Sequence, residues 1–223
     1  MKDVLVFDVN ETLLDLAALD PIFERIFGAA VARREWFSQF IQNALVATVT
    51  GAYSPFGEIG MAALAMIAQR RDVQITEDGK AAIRQGLGSL PPHPDVRAGL
   101  DQLKKSGFRL AALTNSTQAV AETQLKNAGL SDLFEHILSA DAVKRLKPAP
   151  EPYHMAAQVL NVPIGQMCLI AAHAWDVTGA MRVGAHAAFV ARPGMVLDPL
   201  APTPLVVGDD IREVAAQLIH LQA

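Results

Sequence analysis

Residues 4–15 read VLVFDVNETLLD. Four apolar residues run into Asp8, Asn10-Glu11 makes a turn, and Thr12 precedes a second apolar pair. A short unbroken apolar run reads as a strand covered on both faces, as in a parallel sheet. Asp8 then stands at the strand's carboxyl end, the edge where open α/β sheets bind ligands.

The same kind of run recurs at 108–114, 136–139, 167–171, 187–191 and 205–207. Helical patterns at 95–106, 117–128, 150–161, 174–184 and 209–221 alternate with them, and Gly107, Gly129 and Gly184 stop three of these helices. The alternation predicts an α/β fold with a doubly wound, Rossmann-like parallel sheet. Residues 16–90 break the rhythm with four helical stretches at 19–27, 31–50, 56–71 and 77–88. The expected organisation is a core of residues 1–15 and 91–223, with a helical cap, 16–90, inserted after the first strand.

Composition narrows the function. The 223 residues are 51% hydrophobic, enough for a sizeable core. A net charge of −4 leaves no basic stripe for a nucleic-acid partner. The single cysteine, Cys168, excludes an internal disulfide and fits a reducing compartment. The apolar run after Lys2 stops at Asp8, too short for a secretory segment, and no stretch has the length of a membrane span. A cytoplasmic protein is expected, with no membrane partner.

Four features fall at strand ends or in the loops beside them: Asp8, Thr114-Asn115-Ser116, Lys147-Pro148 and Asp176. In a parallel sheet they share one edge and can converge. A carboxylate such as Asp8 can displace a leaving group and form an ester, which water then hydrolyses. Lys147 would keep Asp8 ionised and offset repulsion from Asp176. Thr12 and nearby amides would hold the carboxylate oxygens, and Thr114 and Asn115 would donate to the substrate or leaving group.

This order of motifs resembles the haloacid dehalogenase superfamily along essentially the whole chain, and most closely the type II L-2-haloacid dehalogenases. The resemblance rests on FDVNETL, LTNS, the spacing from Lys147 to Tyr153, the loop His173-Ala174-Trp175-Asp176, and the cap stretch from Trp36 to Gly51-Ala52-Tyr53. It implies hydrolytic dehalogenation of a small (S)-2-haloalkanoic acid with Asp8 as nucleophile, and Thr12, Lys147, Asp176 and His173 in the catalytic set. Asn10, Thr114, Asn115, Tyr153, Phe37, Phe56 and Trp175 are the expected substrate-binding positions. A small carboxylate substrate, no cofactor and no metal are expected. A homodimer through helices 31–50 and 56–71 is expected as well.

Phosphatases of the superfamily usually carry an Asp two residues after the nucleophile, and it serves as their acid and base. Asn10 cannot titrate. Ala171 and Ala172 stand where a second Mg²⁺-binding acid would sit. Gly208-Asp209-Asp210 imitates a phosphatase signature but comes one crossover late, and reads instead as the N-cap of helix 211–221. Two alternatives remain: hydrolysis of another carbon–leaving-group bond on the same Asp8 ester, for example in a strained-ring amino acid, and a Mg²⁺-dependent phosphatase.

The chain also departs from the dehalogenase pattern. Phe37 stands where those enzymes have an Arg after the cap Trp, Asn10-Glu11 replaces Tyr and Gly, His173 replaces Asn, and Ala171 replaces Ser. Arg33 and Arg34, about a turn before Phe37, are expected at the surface, with substitution for the absent arginine as the alternative. His173 is expected either to be oriented by Asp176 as a base for the hydrolytic water, or only to hydrogen-bond as Asn would. Glu11 is read either as a proton donor or as a solvent-facing turn residue. Phe37, Phe56 and Trp175 are expected to line an apolar pocket.

Overall fold

The computed structural model describes residues 4–222. Six strands form one all-parallel sheet: β1 (Val4–Phe7), β2 (Arg109–Thr114), β3 (His136–Ser139), β4 (Met167–Ala171), β5 (His186–Val190) and β6 (Val206–Gly208). Their order is β3-β2-β1-β4-β5-β6. The sequence-based strand boundaries for β2, β5 and β6 are off by one residue. Successive strands step outward from β1 on one side and from β4 on the other. The sheet therefore reverses direction between β1 and β4, and a crevice opens there beyond the strand ends.

The alternation within β1 shows why the run had to be apolar throughout. Val4 and Val6 pack on one face with Tyr153, Ala156, Val177 and Ala180, from α7 (Pro150–Val159) and α8 (Ala174–Arg182). Leu5 and Phe7 pack on the other with Leu100 and Leu103 of α5 (Val96–Lys105), Leu125 of α6 (Gln118–Asn127) and Val214 and Leu218 of α9 (Ile211–Gln222). Gly107, Gly129 and Gly184 follow α5, α6 and α8 with positive φ, as a helix stop requires. Asp210 Oδ1 accepts from Glu213 N at 2.9 Å, and Glu213 Oε2 accepts from Asp209 N at 2.8 Å. This reciprocal cap is the role expected of the Gly-Asp-Asp stretch.

Four helices lie between β1 and α5: α1 (Asp20–Phe27), α2 (Ala32–Thr50), α3 (Phe56–Arg70) and α4 (Glu77–Gly88). They form the inserted helical layer. Trp36 of α2 is their centre: its ring is buried against Phe23 and Phe40, and its Nε1 donates to Gly60 O at 2.8 Å. The apolar cluster is continuous from these helices through Val9, Leu13 and Leu14 into the sheet, so the cap is seated on the core. Among the described residues, no helix is long and apolar enough to cross a membrane.

Candidate active site

Asp8 is the first residue past β1, and its N–H still donates to Ile170 O of β4 at 3.0 Å. This bond fixes the carboxylate at the sheet's reversal point. The side chain is nearly buried and both its oxygens are bonded. Oδ1 accepts from Lys147 Nζ at 2.9 Å, and Oδ2 accepts from Thr12 Oγ1 at 2.8 Å. Burial opposes the charge, but Lys147 and then His173 outweigh it and hold Asp8 well below the usual carboxylate range.

Lys147 also donates to Asp176 Oδ2 at 2.5 Å and to Leu113 O at 2.9 Å. An ammonium has three hydrogens, and all three are matched here. Burial disfavours the cation, but Asp176 and Asp8 more than compensate and raise its pKa. Its backbone is clasped by Asn115, which accepts from Lys147 N at 2.7 Å and donates to Lys147 O at 3.2 Å. Asn115, an expected substrate-binding position, thus places the lysine with one hydrogen and one lone pair of its amide. Thr114 Oγ1 accepts from Ser116 N at 3.2 Å. Tyr153 is fully buried and donates to Asp176 Oδ1 at 2.6 Å, so it braces that carboxylate from behind. An expected substrate-binding position, it lies fully buried beside Asp176. Burial raises the pKa of Asp176.

Thr12 is held on two further sides. Its hydroxyl accepts from Ala172 N at 2.9 Å, and its carbonyl accepts from Arg192 Nη2 at 2.9 Å. Arg192 Nη1 donates to Asp95 Oδ1 at 2.7 Å, and Asp95 Oδ2 accepts from Ile211 N at 2.8 Å. This buried Asp95–Arg192 pair ties the turn after β1 to β5 and α9. No sequence motif announced it.

His173 departs most from expectation. Its ring nitrogens face Asp8 and Glu11 rather than Asp176: Nδ1 is 3.3 Å from Asp8 Oδ2 and Nε2 is 3.0 Å from Glu11 Oε2. A ring that faces a carboxylate on each nitrogen is matched by a hydrogen on both, as an imidazolium has. Burial lowers the His173 pKa, but the bonds to Asp8 and Glu11 reverse this and raise it to about 9. The ring is stacked on Trp175, centroids 5.2 Å apart at 21°, and Phe37 packs against it at 5.8 Å.

Glu11 is turned inward, not toward solvent. It has φ 62°, a left-handed conformation that costs a residue with a Cβ about 1–2 kcal/mol. Behind it stands Arg33 of α2, with Nη1 3.5 Å from Glu11 Oε1 and Nε bonded to Asp20. Arg33 is only 4% exposed, which corrects the surface role expected for it. Helix α2 brings Arg33 and Phe37 to the same face one turn apart. The other expected positions lie further out. Phe56 stacks on Phe40 at 4.2 Å within the inserted helices, and so supports Phe37 from behind. Asn10 Oδ1 accepts from Gln124 Nε2 at 3.2 Å, and its Nδ2 donates to Ser116 Oγ at 3.5 Å.

Lys147 and His173 offset Asp8 and Asp176, and Arg33 stands between Glu11 and Asp20. The Lys147 ammonium bridges Asp8 and Asp176, and among the described residues no group of three or more His, Cys, Asp or Glu is placed to hold a metal ion.

The chain is similar along most of its length to known hydrolases. A model of the haloacid dehalogenase-like hydrolases matches residues 2–184. An (S)-2-haloacid dehalogenase of Pseudomonas putida is 28% identical over 218 residues, 96% of this chain and 97% of its own. A haloacetate dehalogenase of Moraxella sp. (strain B) is 25% identical over 224 residues, covering 99% and 98%. A solved L-2-haloacid dehalogenase superimposes with a TM-score of 0.93 at 28% identity, over 100% of this chain and 99% of that one. The chain belongs to the haloacid dehalogenase-like hydrolase family.

Proposed function

We propose that the protein hydrolyses small (S)-2-haloalkanoic acids through an ester on Asp8. The observation that carries this reading is the state of Asp8: an ionised, nearly buried carboxylate with Lys147 on one oxygen and Thr12 on the other. Oδ1 has a single partner and retains a free lone pair, whereas Oδ2 is engaged by two donors. Oδ1 therefore attacks the halogen-bearing carbon from behind, and the halide leaves with the bonding electrons. Water then attacks Cγ of Asp8 and frees the hydroxy acid with inverted configuration. A halide needs no acid at position 10, and Asn10 supplies none. The named activities of the relatives that match nearly end to end support the same substrate class.

This reading assigns residues 16–90 as the cap over a core of 1–15 and 91–223, with Phe37 and Trp175 closing the pocket. It also carries a cytoplasmic setting. It carries a homodimer through α2 and α3, where Val46, Val49 and Met66 are exposed. The test is halide release from (S)-2-chloropropionate in EDTA, with p-nitrophenyl phosphate plus Mg²⁺ in parallel. Halide release that vanishes in Asp8→Asn supports the reading. Mg²⁺-dependent phosphate release without halide release overturns it.

A further inference from the structure

We propose that His173 is a charged oxyanion-hole donor for hydrolysis of the Asp8 ester, and that Glu11 is the positioning residue that keeps it so. The proposal rests on the reading of Asp8 as the ester-forming residue and concerns the second half of that reaction.

The geometry selects the atom. Once Oδ1 carries the substrate carbon, Oδ2 becomes the ester carbonyl. Thr12 Oγ1 is 2.8 Å and His173 Nδ1 is 3.3 Å from that same oxygen. Attack of water on Cγ moves an electron pair onto Oδ2, so the negative charge develops between these two donors. Collapse of the adduct breaks the bond from Cγ to Oδ1, the oxygen-18-traceable water oxygen stays on Asp8, and Oδ1 leaves with the product. One water proton ends on the product hydroxyl and the other passes to solvent as Asp8 returns to a carboxylate. His173 keeps both its protons throughout. Donors already aimed at a developing charge, in a site shielded from water, need no reorganisation at the moment of reaction.

Glu11 explains why the ring stays charged after the ester forms. Esterification removes the Asp8 charge, one of the two anions facing His173. Glu11 remains at 3.0 Å from Nε2. Arg33 of α2 stands behind Glu11, Lys147 faces Asp8 from the opposite side, and Asp176 lies beyond Lys147. Trp175 stacks on the His173 ring and Phe37 packs against it. The strained backbone at Glu11 is what brings its carboxylate under Nε2.

The experiment follows halide release and the mass of the Asp8 peptide after rapid quenching, with (S)-2-chloropropionate, in wild type, His173→Ala, His173→Asn and Glu11→Gln. The expected result for His173→Ala is a burst of one halide per site, then turnover slowed roughly 100-fold with the ester accumulated on Asp8. His173→Asn keeps a neutral donor and should fall between wild type and His173→Ala, which guards against a folding defect. In Glu11→Gln, the alkaline limb of ester hydrolysis should move to lower pH, because the one carboxylate still facing His173 in the ester is gone. Wild-type halide release with no ester accumulating in His173→Ala, or an unmoved alkaline limb in Glu11→Gln, overturns this inference alone. Absence of halide release from wild type overturns the reading beneath it as well.

Discussion

Glu11 Oε2 lies 3.0 Å from His173 Nε2, joining the turn after β1 to the loop after β4 across the reversal point of the sheet. Both residues depart from the dehalogenase pattern, and they depart as a pair. Without Glu11, His173 would have Asp8 as its one carboxylate partner, and without His173, Glu11 would have only Arg33. Together they place a cation beside Asp8 on the core side of the site. The cap side, where an arginine is usual, carries the Phe37 ring instead.

Stability should fall as pH rises through the His173 titration. The folded pKa, about 9, lies above the ordinary 6.5, so the folded state binds the proton more tightly. That stabilisation is complete below pH 6.5 and is lost as pH rises through 9. It amounts to about 3 kcal/mol. Thermal melts from pH 6 to 10 check this: the alkaline decline in Tm should be strong in wild type and largely absent in His173→Asn.

Lys147→Met should unfold the protein more readily and abolish turnover. Two buried carboxylates, Asp8 and Asp176, lose the ammonium between them. Removing one partner of a buried charge cluster costs about 3–5 kcal/mol. The deficit should shrink in acid, where the carboxylates take up protons, and urea melts at pH 7 and pH 5 would show the difference.

Phe37→Arg alone should not restore a more usual dehalogenase. Its guanidinium would be driven against the His173 imidazolium, since the two rings now sit 5.8 Å apart. Combined with His173→Asn, the same arginine has no competing cation and can grip the substrate carboxylate. A charged hydrogen bond is worth about 1.5–3 kcal/mol, roughly ten- to a hundredfold. Measured kcat/KM should rise by that order from His173→Asn to the double variant, and should not rise from wild type to Phe37→Arg.

Arg192→Met should reduce both stability and turnover. It frees the Thr12 carbonyl and leaves Asp95 without its partner in the interior. The expected loss is about 3–5 kcal/mol in a urea melt. Slower ester hydrolysis should accompany it, since Thr12 is one of the two donors to Asp8 Oδ2.

The sheet was legible because strands buried on both faces must be apolar along their length, and β1 and β4 are, as is β2 between Arg109 and Thr114. The convergence of Asp8, Lys147 and Asp176 followed from parallel strands sharing one edge. The inward turn of Glu11 was not legible. A glutamate after an asparagine reads as a solvent-facing turn, and only the fold shows that its backbone is left-handed and its side chain covered by Arg33. The orientation of His173 was missed for a related reason. Asp176 is three residues away in sequence, but helix α8 begins between them and directs Asp176 to Lys147. Arg33 sits in a run of charged residues at the start of α2, and nothing local marks which of them points inward. Asp95 and Arg192 are 97 residues apart and carry no motif.

The most direct test of the account is a single turnover in H₂¹⁸O with enzyme in excess over (S)-2-chloropropionate, followed by mass analysis of the peptide holding Asp8. The account predicts one ¹⁸O in the Asp8 carboxylate and none in the first-formed hydroxy acid, because water attacks the ester at Cγ. Heavy oxygen found directly in the product, with Asp8 unlabelled, would contradict it, since water would then have displaced the halide without an ester.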